Sequence, residues 1–240
     1  MIDPYVYPGT SILKNKFDIY SQDELEHIEA DYFLLGYNNL VKTNFQIESI
    51  FDVLLIHKTL FSGIFDWAGK PRTIDIYKSE PILGGSSIDY VFASYIRTAL
   101  NELDEEYKRC DFKSLNGKEL IRKMCYFISE FWHIHPFREG NSRTTSVFLY
   151  FLAKKNNLSI NFETISKYGK YFRNALVLSS LYNNSREEFL NGFVTDLCTK
   201  KNFNTQKYET IDGNEVSKYS YTHHTIKKLE TIKKPEDWRK

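Results

Sequence analysis

This sequence of 240 residues has few cysteines, no excess of charge of either sign and no long apolar run. Its three cysteines are odd in number and show no CxxC spacing, so the sequence favours a reducing compartment over a disulfide framework. The formal net charge of +1 argues against nucleic-acid binding driven by overall charge. No stretch approaches the ~20 apolar residues of a membrane helix, and the N-terminus lacks the pattern of a signal peptide. We therefore expect a cytoplasmic protein with no membrane partner.

Common nucleotide-binding and zinc-binding motifs are also missing. The sequence has no GxxxxGK[ST] and no GxGxxG, so P-loop and dinucleotide-binding folds lack support. His133 and His135 form an HxH pair, but no second cluster of His or Cys lies at ligand spacing, which argues against a zinc enzyme. The composition is that of an ordinary globular domain, and its 16% of aromatic residues predicts a core rich in Phe and Tyr.

Apolar residues recur at helical spacing through most of the chain. The clearest helix covers residues 119–134 and is apolar on two faces, which predicts the buried central helix of a bundle. A helix capped by Ser21, with Glu24 at its third position, is predicted near the start. Further helices are predicted at residues 47–60, 89–107, 165–181 and 185–200, and one after residue 141. The fold class is therefore predicted to be all-α.

Residues 72–77 break this helical pattern because apolar and polar side chains alternate there. This period of two is the best strand signal in the chain, and Pro81 and Gly84-Gly85 end it. One short strand or hairpin cannot form a core sheet. From the pattern alone, the segment is either a small hairpin at the surface or a plain connector.

A polar segment joins the central helix to the next one and combines groups suited to phosphate chemistry. It reads His-Pro-Phe-Arg-Glu-Gly-Asn-Ser-Arg over residues 135–143. His135 is a candidate base, and Glu139 is either a ligand of a divalent cation or an acid that satisfies a helix dipole. Gly140 allows the backbone to approach an anion closely. Asn141 is a candidate N-cap of a helix whose free N–H groups attract phosphate.

The same segment is similar to the signature of the Fic (Fido) family, HPF-x-[D/E]-GN-[G/K]-R, and agrees with it at eight of nine positions. The stretches YVYPGTSILKNK, FDWAGKPRTIDI and YFRNALV also resemble Fic proteins, so the similarity covers roughly residues 5–198. It implies a Fic-type helical bundle with a small β-hairpin flap over residues 1–198. Residues 199–240 would then be a C-terminal appendage.

The resemblance implies a protein adenylyltransferase that moves AMP from ATP to a Tyr, Ser or Thr hydroxyl of a target protein. His135 would be the base and Glu139 the Mg²⁺ ligand. The phosphate contacts would come from Arg138, Gly140, Asn141, Ser142 and Arg143. Arg138 is equally consistent with an ion pair, since its position varies in the family. The flap would hold the target by strand addition through Thr73, Ile74, Asp75 and Ile76.

Two positions depart from the family pattern. Ser142 replaces the usual Gly or Lys, and Ser146 replaces a second arginine that grips the γ-phosphate in many members. Losing that arginine removes a contact worth about 1.5–3 kcal/mol. Phosphate transfer, use of another nucleotide and a weakly active binding module of the same fold therefore stay open as alternatives.

Many Fic proteins are inhibited by the glutamate of a helix with the pattern [S/T]xxxE[G/N]. Thr205 and Glu209 fit this pattern, whereas Thr210 does not, and Ser146 stands where the usual arginine partner of that glutamate would be. The alternatives are a solvated helix end and a separate small antitoxin. The implied activity suits a toxin, or an effector delivered into another cell. A homo-oligomer is left open.

Overall fold

A computed structural model of the chain describes residues 3–181, 185–199 and 208. Within those ranges the chain forms eight α-helices and three short 3-10 helices. The α-helices are α1 (Gln22–Lys42), α2 (Asp52–Phe61), α3 (Ile96–Arg109), α4 (Gly117–Ile134), α5 (Asn141–Lys155), α6 (Phe162–Lys167), α7 (Gly169–Ser179) and α8 (Glu187–Thr199). The 3-10 helices are Pro81–Leu83, Ala93–Tyr95 and Phe112–Ser114. None of these helices is both long enough and apolar enough to cross a membrane.

The centre of the bundle is α4, as its two apolar faces predict. It packs against α3, α5, α7 and α8, while α5 also contacts α2, which lies against α1. Phe127, Phe131 and Trp132 of α4 are completely buried. The predicted all-α class is confirmed.

Short polar contacts start the helices that the sequence predicts best. The Ser21 hydroxyl accepts the Glu24 N–H and begins α1. At α4 the capping is reciprocal, because the Asn116 side chain accepts the Glu119 N–H and the Glu119 carboxylate accepts the Asn116 N–H. This pair moves the start of α4 to Gly117, ahead of the predicted start.

Three other predicted helices differ from the structure. The second helix begins only at Asp52, because the Asp52 carboxylate accepts two N–H groups of the preceding turn. The third begins at Ile96, after a 3-10 turn whose first N–H donates to Asp75. The predicted helix over residues 165–181 is two helices with a break at Tyr168.

Residues 72–77 do not form the predicted strand. In the described part of the chain the only β pairing is an isolated bridge between Val6 and Leu13. The segment has no partner strand, because the Arg72 N–H donates to the Pro136 carbonyl and the Thr73 N–H to the Tyr5 hydroxyl. The alternation instead shows which side chains point inward. Residues 72, 74, 76 and 78 are buried or half-buried, and residues 73, 75, 77 and 79 are exposed.

The segment runs out and back as a loop, which we call the flap (residues 72–87). Two backbone hydrogen bonds close its tip. The Glu80 N–H donates to the Ser86 carbonyl at 3.0 Å, and the Gly85 N–H donates to the Glu80 carbonyl at 3.0 Å. The flap therefore takes the place of the expected hairpin, but its two arms do not pair as strands.

Candidate active site

His135 ends α4 in the left-handed conformation, with φ 49° and ψ 57°, and its side chain is fully buried. Its Nδ1 lies 3.0 Å from the Trp132 carbonyl oxygen. Because a carbonyl can only accept, Nδ1 carries the hydrogen and Nε2 keeps a lone pair. Nε2 has no hydrogen-bond partner among the described residues. The tautomer that this contact selects is the one that a general base needs.

The surroundings of His135 keep its imidazole neutral. The ring lies against Tyr90, with centroids 4.0 Å apart, and edge-on to Trp132. Burial lowers the pKa of His135 well below its ordinary value, and the Lys78 ammonium lowers it further, although the Trp132 carbonyl and Glu139 oppose them. The ring is therefore able to accept a proton at neutral pH.

Gly140 makes the sharp entry into α5 possible. It is the N-cap of α5, with φ 83°, a conformation that costs other residues energy. A Cβ at this position would lie 2.7 Å from Cε2 of Phe61. Only glycine therefore brings the backbone this close to α2. As at any helix start, the first N–H groups of α5 have no partners in their own helix.

Asn141 is the first residue of α5 and not its N-cap, so that prediction is wrong. Its side-chain oxygen accepts the Phe137 N–H at 3.0 Å, and its amide nitrogen donates to the Phe137 carbonyl at 2.8 Å. Both ends of the amide are used to close the loop. Its main-chain N–H stands at the helix start, where an anion is favoured.

Glu139 carries the ionised carboxylate of the loop. One oxygen accepts the Gly140 N–H at 3.0 Å, and the other pairs with the Lys78 ammonium of the flap at 2.8 Å. Burial by itself raises the pKa of Glu139, but Lys78, the Gly140 N–H and Arg143 together hold that pKa well below its ordinary value. Glu139 is thus an anion that already binds a cation.

The donor set around Glu139 fits a magnesium ion that is shared with a nucleotide. Mg²⁺ is commonly bound by one or two carboxylates, with water and substrate phosphates completing its shell. The described residues contain no cluster of three or more His, Cys, Asp or Glu side chains able to hold a metal by themselves. A single ionised carboxylate beside the start of α5 matches the arrangement in which phosphates and water complete the shell.

The two arginines of the loop are both ion-paired. Arg143 pairs with Glu29 of α1, which is buried, and its guanidinium stacks over Phe61 with 4.8 Å between Cζ and the ring centroid. Burial raises the pKa of Glu29 despite this pairing. Arg138 pairs with Asp3 at 2.7 Å. The ion-pair alternative foreseen for Arg138 is therefore the arrangement observed.

The two serines that depart from the family pattern have different environments. Ser142 Oγ accepts the Trp132 indole N–H at 3.0 Å and an Arg173 guanidinium N–H at 3.4 Å, so its own hydrogen is left to donate elsewhere. Ser146 Oγ donates to the Arg143 carbonyl at 2.7 Å. Ser146 is thus occupied within its own helix and brings no charge to the loop.

Two supporting residues were not foreseen from the sequence. His57 of α2 accepts the Gly69 N–H at 2.8 Å, donates to the Glu139 carbonyl at 3.0 Å and stacks on Phe137 with centroids 3.6 Å apart. Arg72 donates to three carbonyls, including those of His135 and Ile74 at 2.9 and 2.7 Å. A histidine inside an apolar helix and an arginine at an inward position of an alternating segment were the available signals.

Lys78, Glu80 and Arg173 were also missed. Arg173 of α7 holds Glu80 of the flap with two hydrogen bonds, the shorter one 2.8 Å long, and the Tyr90 hydroxyl donates to the same carboxylate at 3.0 Å. The Glu80 side chain is completely buried. No local pattern announces this contact, because 93 positions separate Arg173 from Glu80.

Three of the four predicted docking residues, Ile74, Asp75 and Ile76, line a cleft of ≈ 230 Å³ beside the loop. Its walls are formed by Asp3, Ile74, Asp75, Ile76, Tyr77, Lys78 and Arg138. Thr73 is exposed, and its hydroxyl lies 3.3 Å from that of Tyr5. The candidate inhibitory residues Thr205 and Glu209 lie outside the described residues. Tyr208, between them, is buried against Tyr171 and Phe193.

Comparison with known sequences supports the resemblance. The chain matches the Fic/DOC family over residues 49–153. It is 31% identical over 160 residues to "Probable protein adenylyltransferase y4lH" of Sinorhizobium fredii, covering 63% of this chain and 76% of that protein. It is 28% identical over 197 residues to "Protein adenylyltransferase VbhT" of Bartonella schoenbuchensis, covering 78% of this chain. The chain spans only 40% of the length of VbhT.

Solved structures show the same fold. BepC, a VirB-translocated effector protein of Bartonella tribocorum with bound AMPPNP, superposes with a TM-score of 0.67 at 21% identity. The similarity covers 82% of this chain and 97% of that one. Sequence, loop geometry and fold therefore agree, and the chain belongs to the Fic/DOC family.

Proposed function

We propose that this chain is a protein adenylyltransferase, which transfers AMP from ATP to a hydroxyl group of a target protein. The observation that carries the proposal is the buried lone pair of His135 Nε2, which lies in the same loop as the free N–H groups of α5. A base beside an anion site suits nucleotidyl transfer to a hydroxyl. Protein adenylyltransferase also stands in the names of VbhT and y4lH.

In the proposed reaction, His135 Nε2 accepts the proton of the target hydroxyl while its oxygen attacks the α-phosphorus of ATP. The new oxygen–phosphorus bond forms as the bond to the α–β bridging oxygen breaks, and pyrophosphate leaves. Because burial lowers the pKa of His135, the ring is neutral when the proton must be taken. The Trp132 carbonyl, bonded to Nδ1, stabilises the imidazolium that forms.

The phosphates are held by the start of α5. The N–H groups of Asn141, Ser142 and Arg143 point out of the helix end, and the helix dipole adds positive potential there. Glu139 would hold Mg²⁺, which supplies neutralisation of phosphate charge when it is bound. The Ser142 hydroxyl and the Gly140 backbone complete this side of the nucleotide.

The flap holds the target segment beside the base. The N–H groups of residues 74–77 make no hydrogen bond within the described chain, so an extended peptide can pair with them by strand addition. Ile74, Asp75 and Ile76 present this edge, and Thr73 adjoins it with its own N–H bonded to the Tyr5 hydroxyl. The modified side chain is a Tyr, Ser or Thr hydroxyl. The adjacent cleft gives the flanking side chains of the target a place to pack.

A second candidate, transfer of the γ-phosphate or use of another nucleotide, is favoured by Ser146. Ser146 bonds to its own helix and supplies no cation for the end of a triphosphate. If the triphosphate binds in the reverse direction, the γ-phosphorus meets the base instead of the α-phosphorus.

The deciding experiment incubates the purified chain with Mg²⁺, a cell lysate and ATP labelled at either the α- or the γ-phosphate. We expect transfer of the α-label only, abolished in His135→Ala. His133→Ala is the matched control, because His133 lies two positions away on α4 and bonds the Asp89 carbonyl. Transfer of the γ-label alone establishes phosphate transfer. Transfer of neither label by a chain that is folded and binds nucleotide favours the binding-module alternative.

The same proposal treats residues 1–198 as the catalytic domain and residues 199–240 as a regulatory appendage. Activation by Glu209→Gly supports inhibition within the chain, whereas unchanged activity favours a separate small antitoxin. A toxin or effector acting in the cytoplasm of another cell is the proposed setting. Light scattering on the purified chain tests whether it forms a homo-oligomer.

A further inference from the structure

Among the described residues, four cations that border the loop between α4 and α5 pair directly with a carboxylate, while a fifth, Arg72, is bound to three carbonyls and lies 3.9 Å from Asp75. The four pairs are Lys78 with Glu139, Arg138 with Asp3, Arg143 with Glu29 and Arg173 with Glu80. A triphosphate needs positive charge, and Ser146 supplies none. The question is which of these cations can leave its partner for a phosphate.

Arg173 and Arg143 are held in place by the burial of their partners. The side chains of Glu80 and Glu29 are 0% and 7% exposed. A buried carboxylate that loses its cation is strongly disfavoured, because neither water nor another positive group replaces the lost charge. These two arginines therefore keep their carboxylates when a nucleotide binds.

Arg138 is paired with Asp3, and both line the cleft along the flap, where the target segment is proposed to dock. Lys78 lines the same cleft, but Asp3 is not a proposed metal ligand, so no other cation is offered to Asp3 in place of Arg138.

Lys78 differs from the other three cations because its partner is offered a replacement. Glu139 is the proposed Mg²⁺ ligand, so a metal–nucleotide complex brings a dication to the carboxylate that Lys78 neutralises. Lys78 can then leave Glu139 without uncovering an unpaired charge. After burial, the Lys78 ammonium is the largest influence that lowers the pKa of His135, so it lies within electrostatic reach of the base.

We infer that Lys78 is a phosphate-binding cation of this site, held on Glu139 until the metal–nucleotide complex binds and then transferred to its phosphates. In this chain Lys78 supplies from the flap the positive charge that Ser146 does not supply from α5. The inference rests on the proposed function, because it requires Glu139 to hold the metal.

This exchange ties the flap to the nucleotide. Lys78 lies between the docking residues 73–76 and the closed tip of the flap at residues 80–86. Its main-chain N–H donates to the Ser87 hydroxyl at 3.2 Å, so the lysine backbone is fixed to the returning arm. A phosphate that binds the ammonium therefore holds the whole flap above the nucleotide.

The test measures binding to wild type, Lys78→Met, Lys78→Arg and Lys70→Met. Lys70, an exposed lysine before the flap, controls for loss of one charge. Mn²⁺ binding is followed by electron paramagnetic resonance, with Mn²⁺ alone and with Mn²⁺ plus AMPPNP. Hydrogen exchange of residues 75–87 reports the flap, and a urea unfolding curve for each variant confirms that it is folded.

We expect Lys78→Met to weaken Mn²⁺–AMPPNP binding about tenfold, the size of one charge-assisted contact, and Lys78→Arg to retain most of the affinity. Mn²⁺ alone should bind Lys78→Met at least as tightly as wild type, because a competing ammonium is gone. AMPPNP should protect the flap from exchange in wild type and not in Lys78→Met.

Two outcomes overturn the inference. If Lys78→Met binds Mn²⁺–AMPPNP as tightly as wild type or more tightly, Lys78 only neutralises Glu139, and the proposed function stands without it. If folded wild type does not bind Mn²⁺–AMPPNP at all, the proposed function fails and this inference fails with it.

Discussion

His57 connects three parts of the candidate site, and its removal gives the sharpest test of how the site is supported. It accepts from Gly69, donates to the carbonyl of Glu139 and stacks on Phe137. Both ring nitrogens are therefore used by neutral backbone groups, which is possible only for the uncharged imidazole. Burial lowers the pKa of His57 to about 3, while the Arg143 charge lowers it slightly and Glu139 opposes the shift.

The low pKa makes the contribution of His57 to stability depend on pH. In the unfolded chain its pKa is ~6.5, so the unfolded state binds a proton below that pH while the folded state does not. The contribution of His57 is fully present above about pH 6.5 and declines as pH falls towards 3. For each pH unit below about 6.5, this contribution to the free energy of unfolding falls by about 1.36 kcal/mol, so ~2 kcal/mol is lost at pH 5.

The substitution His57→Phe keeps the ring stacking and removes both hydrogen bonds. It leaves the Gly69 N–H and the Glu139 carbonyl without partners, at about 1–3 kcal/mol each, so we expect a loss of ~2–6 kcal/mol at pH 7.5. Phenylalanine does not titrate. The stability gap between wild type and His57→Phe should therefore shrink by ~2 kcal/mol between pH 7.5 and pH 5.

Urea unfolding followed by tryptophan fluorescence measures this gap at each pH. Comparing two chains at the same pH cancels the other titrating groups that they share. His27→Phe, on the exposed surface of α1, is the matched control for loss of a histidine. A gap that stays constant from pH 7.5 to pH 5 would refute the buried, neutral His57 and with it the tautomer assigned from the two contacts.

Two further substitutions test the loop and the base of the flap. Gly140→Ala should cost ~2–5 kcal/mol in urea unfolding, because it adds ~1–2 kcal/mol of left-handed strain to about 1–3 kcal/mol of overpacking against Phe61. Gly169→Ala, where an added Cβ meets no atom within 4 Å, should be near neutral, and equal costs at both positions would contradict the assignment. Arg72→Lys should lose at least one of three carbonyl contacts, destabilise the chain by about 1–3 kcal/mol and speed hydrogen exchange in the flap. Unchanged exchange would show that Arg72 does not fasten the flap.

The parts of the fold that could be predicted from the sequence depend on neighbouring residues. Ser21 and Glu24 are three positions apart, and the two apolar faces of α4 repeat within single turns. Caps and helical faces of this kind leave a mark in any short window. The start of α3 leaves no such mark in the sequence. The turn before it is held by Asp75 of the flap, which accepts the Ala93 N–H from 18 positions away.

The flap shows where pattern and structure separate. Alternation predicts correctly which side chains of residues 72–79 point inward, because that follows from extended backbone geometry alone. It cannot report whether a second strand is available, and in the described chain the N–H groups of Arg72 and Thr73 are bonded elsewhere. An alternating segment is therefore not sufficient evidence for a hairpin.

The candidate site divides in the same way. The motif residues are contiguous, so their identity could be predicted, and their tasks remain proposals. The groups that set their charge and orientation come from distant positions, since Lys78 is 61 positions from Glu139 and Glu29 is 114 from Arg143. Neither pairing follows from a local rule, because both partners are common surface residues until the fold brings them together.

Ser142 and Ser146 depart from the family motif, and their effect depends on distant residues that the fold brings to the loop. Judged within the motif, Ser146 is a lost contact that weakens the case for AMP transfer, and Ser142 adds no charge. In the folded chain Ser142 is joined to Arg173, and Lys78 reaches Glu139 from the flap, so two cations that the motif does not contain border the loop. A motif position can change its residue when the charge that it supplied comes from another element. The nucleotide preference of this chain should therefore depend on Lys78 more than on which residue occupies position 146.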